Sequence, residues 1–521
     1  MVIVMKKLAV IGCGVAAYPI LKKARELGIQ TVCFSQQVNP SVEGLYDYHL
    51  NVDYYDVVSI VKHCKEIGVN GVIATGENTT SSTAYVAKQL GLPGNNVDHT
   101  FICNNKLEER KALADSLYVR QPKYFTYDGH YPKYPVIVKA VDASGKKGIS
   151  IARNDEEFDK AILYSKEASK NDIILVEEYL EGGIEYSVEC ISSKGVHQII
   201  QVTKKDVSGP PHFAELGHHE PGDLSISFEE FEKSIFEILN KTGILNSLSH
   251  IEVKIIDRQV FFIELGARGG GDRISDTLVY LSTDYDYYKA AIQVSLGEYK
   301  PIPSHSTHYS GIYYYCAQTK FLKPLFEYAK SCDWCKEIKL PNELVEKNGN
   351  DDGNTSGYLI YQSDHKVSLR DVPFVVDRIN DYPNALNLLC DFTIASKRKI
   401  SKADMLIGMK KFIDKGNVIG CLFDDVLYGM LNIYCNDLTS RDAYINNVEV
   451  LMNYRGLGLS KKLLKAAYDF ILTRDFKSVS LDVASSNLVA INLYVEEGFV
   501  MTGNTKRIDN DVLLEMRKQL V

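Results

Sequence analysis

The chain has no run of apolar residues long enough to cross a membrane, and its first eleven residues lack the apolar core and small-residue cleavage site of a secretion signal. An excess of basic residues is also missing. The 59 lysines and arginines face 67 aspartates and glutamates, and the net charge of -8 argues against a protein that binds nucleic acid regardless of sequence. We therefore expect a cytoplasmic protein whose partners include neither a membrane nor a nucleic acid.

The cysteines do not suggest a disulfide framework. There are eleven, an odd number, and they are scattered through strand-like and helix-like segments, which favours reduced core residues. Only Cys332 and Cys335 have the spacing of metal ligands, and no second pair of cysteines or histidines follows at such a spacing. Ordinary thiols are the favoured interpretation, and a zinc or redox role is the alternative.

The length of the chain points to several domains. Its 521 residues exceed what one hydrophobic core usually supports, and 45% hydrophobic with 24% charged residues is ordinary for a globular protein, so we expect two to four domains. The first hundred residues alternate short apolar strands with helical patterns, among them a predicted helix at 57–67 and a predicted strand at 71–74, which predicts a parallel sheet wrapped by helices. Longer strands, basic glycine-rich turns and a long polar loop at 204–223 then give residues 101–300 an α+β character.

A turn-rich stretch at 346–354 precedes a predicted domain boundary near 365–372. After it, strands and helices follow one another in the pattern of one compact α/β domain. The predicted fold class is therefore a multidomain chain of α/β and α+β type.

Two glycine-rich turns have the layout of a phosphate cradle. Residues 12–17 follow the first predicted strand and resemble a dinucleotide fingerprint, but its third glycine is missing, so NAD binding is the minority interpretation. Residues 454–460 close the predicted strand 444–451 and open an amphipathic helix. Because Gly456 and Gly458 let the backbone approach an anion at the start of that helix, this turn predicts a pyrophosphate site.

A phosphate apparatus of a different kind lies upstream. Residues 135–139 are typical of a strand that ends in a lysine, Lys139, and a loop of small residues with two further lysines follows at 143–149. Such a loop can close over a triphosphate while Lys139 contacts its oxygens. A basic hairpin turn is the alternative for the loop alone.

Carboxylates on neighbouring predicted strands extend this pattern. The strand that ends near 182 offers backbone amides suited to an adenine edge, and Glu185 follows where a carboxylate can take ribose hydroxyls. Glu252 and Glu264 are hard oxygen ligands of the kind that hold Mg²⁺ against nucleotide phosphates. Arg268 can then stabilise charge on a transferring phosphoryl group.

In this order, over roughly the first 365 residues, the motifs resemble the ATP-grasp superfamily. The resemblance implies ATP and Mg²⁺ as cofactors, and a Rossmann-like domain before the ATP-grasp domain that binds substrate rather than NAD, with Glu77 as a candidate substrate residue. It implies Glu252 and Glu264 as metal ligands and Arg268 as a catalytic residue. The implied nucleotide ligands are Lys106, Lys139, Ser144, Gly145, Lys146, Gly148, Glu177, Leu180 and Glu185.

One position departs from the family pattern. ATP-grasp enzymes often have an asparagine two residues after the second magnesium glutamate, and this chain has Gly266 there. Glycine offers no side-chain ligand, so a bound metal would lose one contact or take water instead. The other matched groups remain, which favours retained activity.

The polar segment 212–221 lies where such ligases often contact substrate, which makes Glu215 and His218 candidate substrate residues. A solvated loop is the alternative interpretation. Metal binding by His218 and His219 is less favoured than either.

The C-terminal motifs resemble the GNAT N-acetyltransferases over roughly residues 371–521. Residues 455–460 fit the pattern Arg/Gln-x-x-Gly-x-Gly/Ala with serine in the last small position, and residues 485–499 resemble the second acetyl-CoA motif of that family. The resemblance implies acetyl-CoA as a cofactor. The implied ligands of its pyrophosphate are Arg455, Gly456, Gly458 and Ser460.

Three further residues receive roles from the same resemblance. Asn487 is implied at the pantetheine side, and Tyr494 as the general acid that protonates the departing thiolate, a step that suits a tyrosine pKa near 10. Glu449 is the candidate base that deprotonates the incoming ammonium. A plain core tyrosine and an ordinary strand carboxylate are the respective alternatives.

The leading hypothesis is a bifunctional biosynthetic enzyme. The first activity is an ATP- and Mg²⁺-dependent ligase that joins a carboxylate to an amine through an acyl phosphate, as in the branch related to amino-acid ligases and carbamoyl-phosphate-synthase-type enzymes. The second is an acetyl-CoA-dependent N-acetyltransferase. One alternative is an ATP-grasp carboxylase or phosphoribosylamine–glycine-type ligase with an unrelated GNAT domain, and another is a nucleotide-sensing scaffold whose Gly266 marks lost chemistry.

The predicted domains follow the two resemblances. Residues 1–100 form a Rossmann-like pre-ATP-grasp domain, 101–300 the ATP-grasp domain, 301–368 its C-terminal subdomain and linker, and 371–521 the GNAT domain. The expected partners are small-molecule carboxylate and amine substrates, and a homodimer is compatible with the resemblance.

Overall fold

The chain forms two compact units that interleave in sequence. The N-terminal unit comprises Met1–Lys320 and Ala329–Lys366, and the C-terminal unit comprises Phe321–Tyr328 and Val367–Val521. The computed structural model describes residues 5–143, 145–211, 213–347, 356–398, 400–508 and 511–521. The candidate nucleotide residue Ser144 lies outside these ranges, as do most of the turn-rich stretch at 346–354 and the first residue of the segment 212–221.

The first sheet of the N-terminal unit is parallel and has the strand order β3-β2-β1-β4. Asp56 and Gly68 set the bounds of one of its helices, α2. The Asp56 side chain accepts a hydrogen bond from the Ser59 N–H at the start, and Gly68 adopts a left-handed φ of 72° at the end. The elements are β1 (Lys7–Ile11), α1 (Tyr18–Glu26), β2 (Gln30–Phe34), β3 (Tyr48–Leu50), α2 (Val57–Ile67), β4 (Gly71–Ala74) and α3 (Thr80–Leu90).

A small antiparallel sheet of order β6-β9-β7-β8 follows, and helix α5 packs on it through Phe158, Ala161 and Ile162. The preceding helix α4 begins at Lys106, where the Asn105 side chain caps the first turn. The elements are α4 (Lys106–Ala112), β5 (Val119–Arg120), β6 (Tyr124–Thr126), β7 (Val136–Ala140), β8 (Ser150–Ala152), α5 (Asp155–Ala168) and β9 (Ile174–Glu178).

The largest sheet has nine strands in the order β16-β17-β15-β12-β11-β10-β13-β14-β5. Helix α6 buries Phe231, Ile235 and Leu239 in one core cluster with residues of the sheet. The elements are β10 (Ile184–Ser193), β11 (Val196–Val207), β12 (Glu215–Glu220), α6 (Phe228–Lys241), β13 (Ser247–Ile256), β14 (Gln259–Gly266), α7 (Val279–Thr283), α8 (Tyr287–Ser295), β15 (Tyr309–Tyr315), β16 (Cys335–Lys339) and β17 (Gly357–Ser363). Helix α9 (Lys323–Ala329) lies between β15 and β16 in sequence, but all of it except Ala329 belongs to the C-terminal unit.

Strand β4 of the first sheet lies directly against helix α8. A Cβ atom on Gly71 would stand 2.7 Å from the Ser295 carbonyl oxygen, so glycine permits this close approach. Leu8, Ile292 and Ile360 belong to one core cluster that spans both sheets. This packing fixes the turns of the first sheet relative to the large sheet within the N-terminal unit.

Strand β12 corrects the sequence prediction of a long polar loop. Five of its six residues are buried, and the strand pairs with β11 and β15. The loop prediction failed because these residues carry no hydrophobic pattern. Their charges are paired inside the fold instead, as in the ion pairs of Lys146 and Lys205 with Glu215.

The C-terminal unit is built on a seven-stranded sheet of order β18-β19-β20-β21-β22-β24-β23. Strands β21 and β22 run parallel but pair only over Asp442–Ile445 and Ser478–Leu481, so they part towards their carboxyl ends. The elements are β18 (Val375–Arg378), α10 (Ala385–Ala395), α11 (Lys402–Lys415), β19 (Asn417–Phe423), β20 (Val426–Tyr434), β21 (Asp442–Val450), α12 (Leu459–Thr473), β22 (Ser478–Ala484), α13 (Leu488–Glu496), β23 (Val500–Ile508) and β24 (Asp511–Gln519).

The described sheets and helices confirm the predicted mixture of α/β and α+β architecture. All eleven cysteines lie in the described ranges and none forms a disulfide, and Cys332 and Cys335 are half-buried near the start of β16. Within the described ranges, no helix is both long and apolar enough to span a bilayer.

Candidate functional site

A cavity of about 1470 Å³ opens in the N-terminal unit. Its walls come from the turns of the first sheet, from the small sheet and from the large sheet. It brings together many of the side chains predicted from sequence, although Gly148 and His218 are not among its lining residues. The predicted residues on its walls are Glu77, Lys139, Gly145, Lys146, Glu177, Leu180, Glu185, Glu215, Glu252, Glu264 and Arg268. Lys106 lines a small adjoining cavity that shares Glu77 and Glu264 with the large one.

Lys106 and Lys139 reach the site from different elements. The Lys106 Nζ lies 2.9 Å from Glu264 Oε1 and donates to the Ala143 carbonyl at 2.7 Å, which ties the start of α4 to the loop that carries Lys146. Lys139 is on β7, and its Nζ lies 2.5 Å from Glu177 Oε2. Both ammonium groups are therefore held by carboxylates in positions where they can also meet an anionic ligand.

Glu177 is buried between two cations. Arg110 Nε lies 2.7 Å from Oε1, opposite the Lys139 contact, and the Arg110 guanidinium also donates to the Ile263 carbonyl at 2.9 Å. Burial alone would raise the pKa of Glu177, but the charges of Arg110 and Lys139 lower it to about 2. Glu177, which was predicted to lie beside the adenine, thus orients Lys139 instead. Both of its carboxylate oxygens are already paired with cations.

Lys254 contacts both residues that were predicted to bind the adenine and the ribose at one end of the cavity, Leu180 and Glu185. Its Nζ donates to the Leu180 carbonyl at 2.9 Å and lies 3.5 Å from a Glu185 oxygen. The Tyr179 and Phe213 rings lie nearby, with centroids 6.3 Å apart and planes tilted by 58°. An apolar wall beside backbone groups and a positioned carboxylate suits a nucleoside.

Glu252 and Glu264 stand opposite each other on β13 and β14. Burial would raise the pKa of each, but Lys205 at 2.6 Å and His250 keep the pKa of Glu252 well below its ordinary value, and Lys106 lowers that of Glu264. Two facing ionised carboxylates fit a hard divalent cation such as Mg²⁺. These are the side chains that could hold the metal.

Gly266 lies beneath Arg268. A Cβ atom at Gly266 would stand 3.2 Å from the Arg268 Cγ. The glycine found in place of the expected asparagine therefore leaves room for the arginine side chain. The Arg268 guanidinium donates to the Gly269 carbonyl at 2.9 Å and lies 3.7 Å from Glu77. Arg268 and the candidate substrate residue Glu77 therefore meet at one end of the cavity.

Glu215 and His218 lie together on β12. Glu215 forms ion pairs with Lys205 at 2.7 Å and with Lys146 at 2.9 Å. The His218 Nε2 lies 3.2 Å from the Glu215 Oε2. Glu215, His218 and Asp272 could also hold a cation, because one ligand atom of each lies within 4.8 Å of the others. Two ammonium groups already neutralise Glu215, which favours a polar substrate contact over a second metal.

A buried network that the sequence analysis missed supports both Glu252 and the Arg268 loop. Glu189 is fully buried. Its carboxylate bonds His250 Nδ1 at 2.5 Å and accepts from Ser275 Oγ at 2.6 Å and from the Gly270 N–H at 3.1 Å. The other nitrogen of His250 lies 3.5 Å from Glu252, and the pKa of His250 is raised to about 9, since the Glu189 charge outweighs burial.

Local sequence offers only part of the signal for these missed residues. Arg110 follows Lys106 by four positions on a helix, so both side chains share a face, and this spacing could have identified it. Glu189, Lys205 and His250 meet partners that are far away in sequence. Their roles become visible only in the folded sheet.

The glycine-rich turn of the C-terminal unit has the predicted form. Gly456 and Gly458 both adopt a left-handed φ of 78°, and Gly458 directly precedes the 15-residue helix α12, whose first turn contains Ser460. Arg455 Nε donates back to the Val450 carbonyl at 3.2 Å, at the end of β21. The exposed N–H groups of the turn thus lie beside the gap where β21 and β22 part.

Asn487 and Tyr494 lie on α13 beyond β22. The Asn487 side-chain oxygen caps this helix by accepting from the Ala490 N–H at 3.2 Å. Tyr494 is buried against Phe499 with ring centroids 5.6 Å apart, and burial raises the pKa of its hydroxyl to about 12. A neutral phenol at physiological pH suits a proton donor.

Glu449, the candidate base, is already paired. The Arg398 guanidinium binds both carboxylate oxygens, and the Asn447 side chain lies 3.5 Å from one of them. Proton abstraction by Glu449 therefore requires Arg398 to release it. Arg398 was not identified from sequence because it comes from a different segment of the unit.

Comparisons with known proteins match one family in the N-terminal unit and another in the C-terminal unit. Residues 132–276 match the family described as ATP-grasp domain, and residues 387–499 match the acetyltransferase (GNAT) family. The chain therefore carries an ATP-grasp domain followed by a GNAT domain, as the motifs predicted.

Individual relatives are distant. A formate-dependent phosphoribosylglycinamide formyltransferase from Methanocaldococcus jannaschii is 20% identical over 280 residues, covering 50% of this chain and 69% of the relative. Among solved structures, an L-amino acid ligase from Bacillus licheniformis is similar with a TM-score of 0.56 and 20% identity, over 69% of this chain and 94% of that one. A phosphoribosylglycinamide synthetase from Anaerococcus prevotii follows with a TM-score of 0.53 and 20% identity, over 70% and 95%. At these identities the likeness concerns the fold.

Proposed function

We propose that the chain is a bifunctional enzyme in which an ATP- and Mg²⁺-dependent carboxylate–amine ligase is fused to an acetyl-CoA-dependent N-acetyltransferase. The observation that carries the ligase proposal is the cavity itself. Glu252 and Glu264 face each other across two strands, and Lys106, Lys139 and Arg268 surround them. This combination is suited to hold a nucleoside triphosphate and a carboxylate at once.

In the proposed first step, a carboxylate oxygen attacks the γ-phosphorus of ATP, the bond to the β–γ bridging oxygen breaks, and ADP leaves. Lys106 and Lys139 neutralise the phosphate oxygens, and Arg268 stabilises the charge near the transferring group. Glu252 and Glu264 would hold Mg²⁺, which when bound offsets the negative charge of the phosphates. Glu177 keeps Lys139 in place throughout.

In the second step, a neutral amine nitrogen attacks the acyl carbon and inorganic phosphate leaves, so that a C–N bond replaces the acyl–oxygen bond. The amine must lose a proton, which a carboxylate on the cavity wall can accept. Glu77 and Glu215 are the candidates, and burial raises the pKa of Glu77, with Arg268 partly opposing this effect. Glu77 is therefore the better acceptor of the two.

For the C-terminal unit we propose acetyl transfer from acetyl-CoA to an amine. The turn at Gly456 and Gly458 would bind the pyrophosphate, and the gap between β21 and β22 would take the pantetheine arm. Tyr494 would donate its proton to the thiolate that leaves. Glu449 would serve as base once Arg398 has moved to another partner.

The test is a substrate screen that follows ADP and free thiol in the same preparation. ADP release is measured with amino acids and amino sugars as amines, and with formate, bicarbonate and amino acids as carboxylates. We expect ADP release to require both a carboxylate and an amine. Bicarbonate-dependent release would favour the carboxylase alternative, and ATP binding without any substrate-dependent turnover would favour the sensing scaffold.

A single variant separates the two activities. Lys139→Ala should lower ADP release by at least about 10²-fold, because it removes a cation from the transferred phosphoryl group, and should leave acetyl-CoA affinity unchanged. Lys133→Ala, at an exposed position just before β7 and outside the cavity lining, is the matched control and should retain most of the activity. Unchanged ATP affinity and turnover in Lys139→Ala would contradict the assignment.

A further inference from the structure

Lys347 is a buried cation on the wall of the cavity. It is 2% exposed, and no carboxylate of the described residues lies within ion-pair distance of its ammonium group. Its Nζ lies 4.6 Å from the centre of the Tyr314 ring, a cation–π contact that compensates only part of the lost hydration. Because a buried charge is costly unless it is paired, Lys347 should meet an anion when the cavity is filled.

The backbone of Lys347 is fixed on both sides by the Gln318 side chain. Gln318 accepts from the Lys347 N–H at 2.9 Å and donates to the Lys347 carbonyl at 2.6 Å. Beside this contact, the Ala317 N–H donates to the Val345 carbonyl at 2.9 Å. These bonds fix the backbone from which the Lys347 side chain reaches the cavity wall. Lys347 therefore differs from a mobile surface lysine.

Tyr314 connects this lysine to the candidate substrate residues. The ring is buried and stands edge-on to His218, with centroids 6.1 Å apart and planes at 90°. His218 in turn lies beside Glu215. Lys347 is therefore part of the substrate end of the cavity and separate from the Lys106 and Lys139 contacts to the nucleotide phosphates.

Two other cations at this end, Arg273 and Lys146, have carboxylate partners. Arg273 lies 3.0 Å from Glu337 and 3.5 Å from Asp276, while Lys146 shares Glu215 with Lys205. We propose that Lys347 binds a non-reacting anionic group, a carboxylate or a phosphate, on one of the substrates that the ligase joins. The proposal rests on the ligase function proposed above, and it narrows the substrate class to molecules with a second anionic group.

A binding experiment tests the site without turnover. The protein is saturated with Mg²⁺ and the non-hydrolysable analogue AMP-PNP, which fills the triphosphate positions. The rise in melting temperature is then measured with succinate and with inorganic phosphate, at ionic strength matched with chloride. We expect at least one probe to stabilise wild type and Lys347→Arg, and Lys347→Met to lose about tenfold or more in apparent affinity. The stronger probe distinguishes a carboxylate from a phosphate ligand.

Lys339→Met is the matched control, since Lys339 lies on the same wall but its side chain is exposed. This variant should respond to the probes like wild type. No response of wild type, or an equal loss in Lys339→Met and Lys347→Met, would overturn the proposal. A lower melting temperature of Lys347→Met without any probe, with unchanged probe affinity, would assign Lys347 a structural role and would also overturn it.

Kinetics then link the site to the reaction. ADP release is compared for substrate pairs that differ only in the extra charge, namely aspartate with asparagine and phosphoserine with serine. Lys347→Met should raise the KM of the charged member by about tenfold or more, with kcat and the KM of ATP nearly unchanged. An equal effect on the charged and neutral members would contradict the inference. Probe binding without any turnover would refute the ligase proposal while leaving this site in place.

Discussion

At the scale of single residues, the site is organised around shared charges. Glu177 forms ion pairs with both Arg110 and Lys139, and Glu215 forms ion pairs with both Lys146 and Lys205. In each case a lysine of the proposed phosphate site is held by a carboxylate that also pairs with a second cation. Removing one partner therefore disturbs the orientation of the other, and point variants in this cavity should not be read as independent deletions.

The Glu177 pair makes stability depend on pH in a defined direction. The pKa of Glu177 is lowered to about 2 from 4.5, so the stabilisation is complete above pH 4.5 and is lost as the pH falls towards 2. We expect Glu177→Gln to abolish this component, about 3 kcal/mol in the free energy of unfolding of the N-terminal unit. Denaturant unfolding at pH 7, 4.5 and 3 measures it. Glu178→Gln, at an exposed neighbour, should keep the wild-type pH dependence, and a Glu177→Gln variant with that same dependence would refute the assignment.

The proposed metal ligands can be separated from the substrate carboxylate. Glu264→Gln should raise the Mg²⁺ concentration for half-maximal ADP release by at least about tenfold, because an amide is a weaker ligand for a hard cation. Glu77→Gln should leave that concentration unchanged, since Glu77 contacts Arg268 and belongs to the candidate substrate site. A magnesium series with both variants provides the measurement. An equal shift in both would remove Glu264 from the ligand set.

At the scale of elements, sequence patterns located strands and helices wherever apolar periodicity and end signals agreed. Helix α2 and strand β4 have the bounds that the pattern predicted, because Asp56, Gly68 and the apolar run 71–74 mark them clearly. Strand β12 was mistaken for a loop, since its buried residues are polar. The partners of Lys139 and Glu252 were missed for a related reason, because they are brought near only by pairing between distant strands.

Helix α13 provides a test of the acetyltransferase proposal. Tyr494→Phe should lower acetyl transfer by roughly 10²–10⁴-fold, since the ring still packs on Phe499 but can no longer donate a proton. Acetyl-CoA affinity should hardly change. Free-thiol release and equilibrium binding of acetyl-CoA are measured on the same preparation, with ADP release as the internal control. Full transfer activity in this variant would exclude Tyr494 as the acid.

At the scale of the whole molecule, the C-terminal unit depends on a segment from the middle of the chain. Phe321–Tyr328 belongs to this unit, and the Tyr454 hydroxyl donates to the Phe321 carbonyl at 2.7 Å. We expect a fragment of residues 367–521 to melt at a lower temperature than the unit in the full chain. A synthetic peptide of residues 320–330 should raise the melting temperature of the fragment in a concentration-dependent way.

Tyr454→Phe is the matched variant for this experiment. Loss of the hydrogen bond to the Phe321 carbonyl should weaken peptide binding by about 0.5–1.5 kcal/mol, and calorimetric titration of the fragment measures the difference. A peptide with no effect on the melting temperature of the fragment would show that the segment adds nothing to the stability of the unit.

The interleaving of the units also sets the order in which the parts of each unit leave the ribosome. The chain changes unit after residues 320, 328 and 366, so on the ribosome the segment Phe321–Tyr328 emerges 38 residues before the rest of its own unit begins. At about 5–20 residues per second, that segment waits roughly 2–8 s without its partners. The N-terminal unit, for its part, is incomplete until residue 366 has been translated. An exchange of the C-terminal unit at a single junction after residue 366 would leave Phe321–Tyr328 behind, so the incoming unit would lack this segment of its own sequence.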